Sequence, residues 1–203
     1  MKEHSMLFST PMVQAILEDR KTMTRRLNGL EEINQDPDNF WFWDFILPEG
    51  IVVLDQPSGE IVTVKCPYSV GDRIWVKETW AVDSMWDEVK PSEIDPCAAV
   101  WYATEAKGEW VGKIRSPRFM PKRAARIWRE IVEIKPPERV QDISEEDAEA
   151  EGCNFNEGYS FGRDYSAMTY RELFQRLWDS LYAKKGLRWE RNPWLWPLQF
   201  RRV

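Results

Sequence analysis

A chain of 203 residues, 43% hydrophobic and 31% charged, has enough apolar material for one main core and too little polar bias for wholesale disorder. Its net charge of −6 argues against a protein that coats nucleic acid, so extended duplex DNA is not an expected partner. No apolar run approaches the length of a membrane span, and the opening residues lack a basic stretch followed by an apolar one, so neither a secretory signal nor a membrane partner is expected.

The three cysteines, Cys66, Cys97 and Cys153, are far apart and have neither zinc nor disulfide spacing. They fit free thiols in a reducing compartment, which makes the cytoplasm the expected location. The only histidine is His4, near a start expected to be disordered, so a histidine-based triad or metal site is not expected. No ligand cluster or glycine-rich phosphate loop appears, and no metal or organic cofactor is implied.

Met6-Leu7-Phe8 reads as a short strand. Ser9 or Thr10 can cap a helix with Pro11 in its first turn, and Met12, Val13, Ile16 and Leu17 give it one apolar face as far as Asp19-Arg20. Residues 22–27 read as a strand. Residues 28–50 look like an insertion, either a lid over a pocket or a loop packed on the body of the fold. Two strands at 51–54 and 60–64 flank the hairpin signal Gln56-Pro57-Ser58-Gly59. Gly71-Asp72 turns into a strand at Ile74-Trp75-Val76.

A second insertion spans about 83–97, and further strands are expected at 99–103 and 126–135, the latter stopped by Pro136-Pro137. Ser144 begins a short acidic helix that Gly152 ends. Thr169 can cap a helix whose stripe of Tyr170, Leu173, Phe174, Leu177, Trp178 and Leu181 reads as core, with no ligand role. Residues 194–203 form a closing strand. Short strands with three helices suggest a single α+β domain over residues 1–203, built on a β-barrel.

Charge is unevenly spread. Residues 113–129 hold Lys113, Arg115, Arg118, Lys122, Arg123, Arg126 and Arg129 without an acid, whereas 138–157 are strongly acidic. A local positive patch on an acidic chain fits a small anionic or nucleotide ligand. The alternative is two solvated faces that partly neutralise each other.

The run from Ile16 to Arg26, ILEDRKTMTRR, resembles the helix-then-strand signature that opens ASCH domains of the PUA-like superfamily. Residues 71–80, GDRIWVKETW, resemble their second motif, and residues 142–152, DISEEDAEAEG, their late acidic helix. Met120-Pro121-Lys122-Arg123 and the stretch Asn192 to Phe200 are similar to segments of a phage and prophage version of the family. The likeness runs from Met6 to the end of the chain, interrupted by the two insertions. It implies a PUA-like barrel with flanking helices, a cleft, and a nucleoside or RNA ligand. Some small members are amidohydrolases that deacylate N4-acetylcytidine with a Lys, a Thr and a Glu. The matching positions here are Lys21, Thr24 and Glu151, in a chain about twice as long as those small enzymes.

The chemistry such residues offer is coherent. A threonine hydroxyl needs a base to become a nucleophile, a lysine among Arg20, Arg25 and Arg26 gives up its proton more readily, and a glutamate can shuttle protons. Residues 21 and 24 point to opposite faces of a regular strand, so for the pair to meet Lys21 has to sit in the turn before it or be re-aimed by a bulge. Arg25 and Arg26 are candidate substrate-binding residues, Arg26 also as an oxyanion partner. Glu78 is a candidate partner for Arg26 or Lys21, Trp80 for stacking a base, and Arg123 and Arg126 for phosphate. The plain alternatives are a helix-end lysine, a strand threonine, a solvated acid, a structural ion pair, a core tryptophan and solubilising arginines. Whether the chain is an enzyme or a non-catalytic RNA or modified-base binding module stays open at this point, with metal-free ribonuclease action a third reading.

Overall fold

The computed structural model describes residues 1–46, 50–153 and 168–203. Its elements are β1 (Glu3–Leu7), α1 (Thr10–Leu17), β2 (Met23–Arg26), β3 (Trp41–Ile46), β4 (Ile51–Asp55), β5 (Ile61–Lys65), β6 (Arg73–Lys77), β7 (Trp80–Val82), β8 (Val100–Tyr102), β9 (Trp128–Ile134), β10 (Glu138–Arg139), α2 (Glu145–Ala150), α3 (Tyr170–Tyr182) and β11 (Trp194–Arg202). This is a mixed α+β fold.

The main sheet runs β1-β6-β9-β11, with β10 and β2 sharing the far side of β11. Only β1 and β6 are parallel; β2 and β11 are antiparallel, with Thr24 opposite Leu198 and Arg26 opposite Trp196. A register shift at Gln199/Phe200 bends β11 where it passes from one neighbour to the next. Although β1 and β2 lie at opposite ends of the strand order, Arg26 Nη2 donates to the carbonyl of Leu7 at 3.4 Å. The sheet therefore curls enough for one arginine side chain to link its two ends, but among the described residues no pairing of β1 with β2 closes it into the expected barrel. A three-stranded sheet, β3-β4-β5, and the β7–β8 hairpin complete the strands.

One large apolar cluster joins the curled sheet to α1 and α3. It contains Ile16, Ile74, Ile131, Leu177, Trp178, Trp196 and Leu198, and at roughly 1.5–3 kcal/mol per large buried side chain it is the main stabilising force. A smaller cluster of Trp80, Val82, Ile94, Met120 and Ala124 sits under β7 and β8. The capping signals of α2 and α3 act as the sequence suggests, whereas Ser9 at the N-cap of α1 makes no side-chain capping bond. Ser144 Oγ accepts from Asp147 N at 3.1 Å, and Thr169 and Glu172 form a reciprocal capping box on α3.

Two expectations need correction. Residues 28–50 are not only loop. Trp41–Ile46 pair with β4, while Leu30 and Ile33 are buried; residues 47–49 of this stretch lie outside the described residues. His4 is not in a disordered start but in β1, where its Nε2 donates to Asp72 Oδ2 at 3.0 Å. Asp72 also accepts from the backbone N–H of Lys2 at 2.6 Å and of Ser69 at 3.1 Å. Among the described residues, no helix is long and apolar enough to cross a membrane.

Asp72 thus ties β1 to the turn before β6. Burial works to raise its pKa, but the Lys2 N–H, His4 and the Ser69 N–H outweigh it and hold the carboxyl below its ordinary value of 3.8. A lowered folded-state pKa gives stability that is complete above the unfolded value and is lost as pH falls through the folded one. Asp72→Ala is expected to cost about 2–3 kcal/mol at pH 7 in urea denaturation, with the gap to wild type closing progressively below pH 3.8.

Candidate functional site

The site begins where α1 stops. Asp19 adopts a left-handed conformation, φ 54°, and the carbonyl of Ala15 accepts from both Arg20 N (2.9 Å) and Lys21 N (3.0 Å). This tight turn places Lys21 before β2 rather than within it, as a meeting with Thr24 requires. Thr22 N then donates to the carbonyl of Ala150 at 2.9 Å, docking the end of α2 against the start of β2. Gly152 makes the docking feasible. It has φ +82°, and a Cβ there would lie 2.9 Å from the Cβ atoms of both Ala15 and Lys21.

Lys21 and Glu151 meet in this buried corner; they are 1% and 3% exposed. Lys21 Nζ donates to the Glu151 carbonyl at 2.8 Å and to its carboxylate oxygen Oε2. Arg25 Nη1 approaches the other oxygen, Oε1, at 3.3 Å. Arg25 also donates through Nε to Glu138 (2.8 Å) and through Nη2 to Asp147 (3.0 Å), and Lys135 Nζ donates to Asp147 at 2.8 Å. Three cations therefore face three carboxylates, which offsets the cost of burying them.

Burial lowers the pKa of Lys21, and Glu151 only partly opposes this. Burial likewise works to lower that of Arg25, but Glu151, Glu138 and Asp147 prevail and raise it. The two bases are thus shifted in opposite directions, Lys21 downward and Arg25 upward. The nearby Cys153 thiol is pushed up to about 12, chiefly by burial, and is no nucleophile at neutral pH.

In front of this network lies a cleft of about 660 Å³. Thr24, Arg25, Arg26 and Glu151 line one wall, and Phe174, Trp178 and Tyr182 of α3 line another. The stripe on α3 is therefore not core alone, since its edge forms an aromatic wall of the cleft. Two buried polar atoms at the cleft, Ser9 Oγ and Arg26 Nε, have no hydrogen-bond partner among the described residues. Ser9 stands at the N-cap of α1 without a side-chain capping bond, so its buried hydroxyl is not used by the helix. Arg26 stacks over Phe8, its guanidinium carbon 4.7 Å from the ring centre. Among the described residues, no three His, Cys, Asp or Glu side chains converge as a metal cage.

Lys21 itself lies behind the cleft lining, with Glu151 rather than Thr24 as its hydrogen-bond partner, and the remaining candidates lie outside the lining too. Glu78 pairs with neither Lys21 nor Arg26; its carboxylate accepts two hydrogen bonds from Arg126, from Nε at 3.0 Å and Nη2 at 2.9 Å. Arg126 also donates to Thr104 and Glu105 and stacks on Tyr102 at 3.9 Å. Trp80 is 1% exposed and packs in the second cluster, leaving no open face for a base. Arg123 donates to the carbonyls of Pro91, Ile94 and Asp95, pinning the insertion at 83–97. Sequence reasoning did not single out Ser9, Asp147 and Glu138 as site residues. Asp147 had a usable signal, since it stands four residues before Glu151 and faces the same way on a helix. Glu138 had none, because its contact with Arg25 is purely tertiary.

No family model matches this chain, and no curated protein matches it. It is similar to a crystal structure of protein EF3133 from Enterococcus faecalis V583, family model DUF984, with 12% identity and a TM-score of 0.40. The alignment covers 94% of this chain and 65% of that one, so the chain spans less than two thirds of that protein's length. A likeness of this size establishes neither fold nor activity.

Lys21→Met leaves Glu151 short of a buried counter-charge and is expected to lower stability by about 3–5 kcal/mol, with part of the loss recovered in the double variant Lys21→Met/Glu151→Leu; urea denaturation checks both. Gly152→Ala, strained in φ and crowded by Ala15 and Lys21, is expected to cost about 2 kcal/mol by the same measurement.

Proposed function

We propose that the cleft binds a nucleobase or nucleoside and removes an acyl group from an exocyclic amine, as on an N4-acylated cytosine. The observation that carries this reading is the adjacency of a buried Lys21, whose pKa burial lowers, to Glu151, which lines the cleft together with Thr24. The curl that brings β1 and β2 face to face supports a PUA-like barrel of the ASCH type, to which the three sequence motifs also point.

In this reading neutral Lys21 takes the Thr24 proton as the hydroxyl oxygen attacks the amide carbon. Arg26 or backbone N–H groups hold the resulting oxyanion. The C–N bond then breaks, and the proton reaches the departing amine through Glu151, which exchanges protons with Lys21. Water, deprotonated by the same pair, attacks the acyl-threonine, releases the carboxylic acid and restores Thr24. Tyr182, half-buried at the edge of α3, offers a surface against which a base can lie. Because burial lowers the Lys21 pKa, turnover rises with pH through that lowered value.

A second reading has its own support. Ser9 Oγ and Arg26 Nε are polar atoms at the cleft without a partner among the described residues, and they suit a module that only binds a modified base or RNA.

Incubation with N4-acetylcytidine, followed by chromatography, is expected to give cytidine with wild type and none with Thr24→Ala, while Glu151→Gln loses roughly 10²–10⁴-fold in rate. Calorimetric binding of the nucleoside without turnover in any of the three would replace the enzyme reading with the binding module.

A further inference from the structure

A second cavity, of about 250 Å³, lies on the other side of β9, away from the cleft. Arg126, Trp128, Arg129, Arg202 and Val203 are among its lining residues. Two of these arginines stand directly opposite each other on paired strands, Arg202 of β11 against Arg129 of β9. Cross-strand partners project to the same face of a sheet, and like charges in that position destabilise it. Arginine does not relieve such repulsion by losing its proton.

The protein supplies little negative charge in compensation. Arg129 is 7% exposed and donates to the backbone carbonyls of Ile16 at 2.7 Å and Trp128 at 3.0 Å. Its carboxylate neighbour, Asp19, is 3.6 Å away with a side chain 63% exposed. Arg202 makes no side-chain hydrogen bond or ion pair among the described residues, whereas the adjacent Arg201 is paired with Glu130 at 3.0 Å. Arg126 contributes a wall of the cavity, but Glu78 and Glu105 already match its charge. Two arginines on paired strands thus line one hollow with room for a tetrahedral anion.

We propose that this cavity binds a phosphoryl group, with Arg129 as the fixed donor and Arg202 closing on the anion from the surface. Guanidinium groups suit phosphate oxygens because their N–H donors match them in pairs. The anion removes the cross-strand repulsion and ties the end of β11 to β9. This site is independent of the cleft and of the deacylation reading, and it would give an acidic chain a local hold on a phosphorylated ligand. Its source is either a free phosphate group or the backbone of a nucleic acid.

Thermal unfolding of the whole chain in inorganic phosphate, against chloride at matched ionic strength, tests the site in wild type and in the exposed variant Arg202→Ala. Phosphate at about a hundredfold excess over its Kd is expected to raise the wild-type Tm by roughly 5 °C or more. Arg202→Ala is expected to lose at least half of that rise while matching or exceeding wild type in chloride, where its repulsion is gone. No phosphate-specific rise, or an equal rise in both proteins, overturns the proposal. Salt titration of a short single-stranded oligoribonucleotide then separates the sources. A slope of log K against log salt that falls by about 0.7 in Arg202→Ala assigns the anion to the nucleic-acid backbone. An unchanged slope beside the phosphate-specific rise assigns it to a free phosphate group.

Discussion

The structure depends on hiding opposite charges together where three chain segments meet. Lys21, Arg25 and Glu151 have almost no access to water, and each would be costly to bury alone. What makes their burial tolerable is backbone geometry: the left-handed Asp19 that turns the chain under α1, and the glycine at 152 that lets the end of α2 close on Lys21. The network therefore fixes the angle between α1, β2 and α2, and with it the wall of the cleft. A structural ion-pair cluster and a catalytic one demand the same thing here, which is a lysine denied solvent beside a carboxylate.

The two ends of the molecule's positive charge behave differently. Arg123 and Arg126 lie in the most basic stretch of the chain, yet both spend their donors on other parts of the protein surface. One holds loop carbonyls and the other a buried Glu78. Arg202, by contrast, has no carboxylate partner among the described residues, and it acquires its companion, Arg129, only through strand pairing. Local charge density in a sequence is thus a poor guide to where an anion can bind, because acids distant in sequence are free to cancel it.

Much of the fold was legible. The apolar periodicity of residues 12–17 and 170–181 locates α1 and α3, and the turn residues at 56–59 and 71–72 locate the hairpin and the start of β6. Strand β3 was harder to see, since Phe40-Trp41-Phe42-Trp43 is apolar at every position and Asp44 breaks the run without giving an alternation. Strand β7 is only three residues long, and all three are buried, so no period marks it. At the site, Lys21, Thr24 and Glu151 come from short motifs in a fixed order. The partners of Arg25, the orphaned Ser9 hydroxyl and the second face of α3 arise from packing between segments more than a hundred residues apart, and spacing carries no trace of that.

The pairing of β2 sets a timetable for the cleft. The strand partner of β2 is β11, through Trp196 to Gln199, so the backbone that carries Thr24 and Arg26 has no sheet to join until those late residues exist. A ribosome adding about 5–20 residues per second takes on the order of ten seconds or more to cover that interval. Throughout it, β2 and the emerging apolar face of α1 lie open in the nascent chain. The cleft is among the last features of this molecule to be assembled, and its early half must be kept from the wrong partners while the other half is still being made.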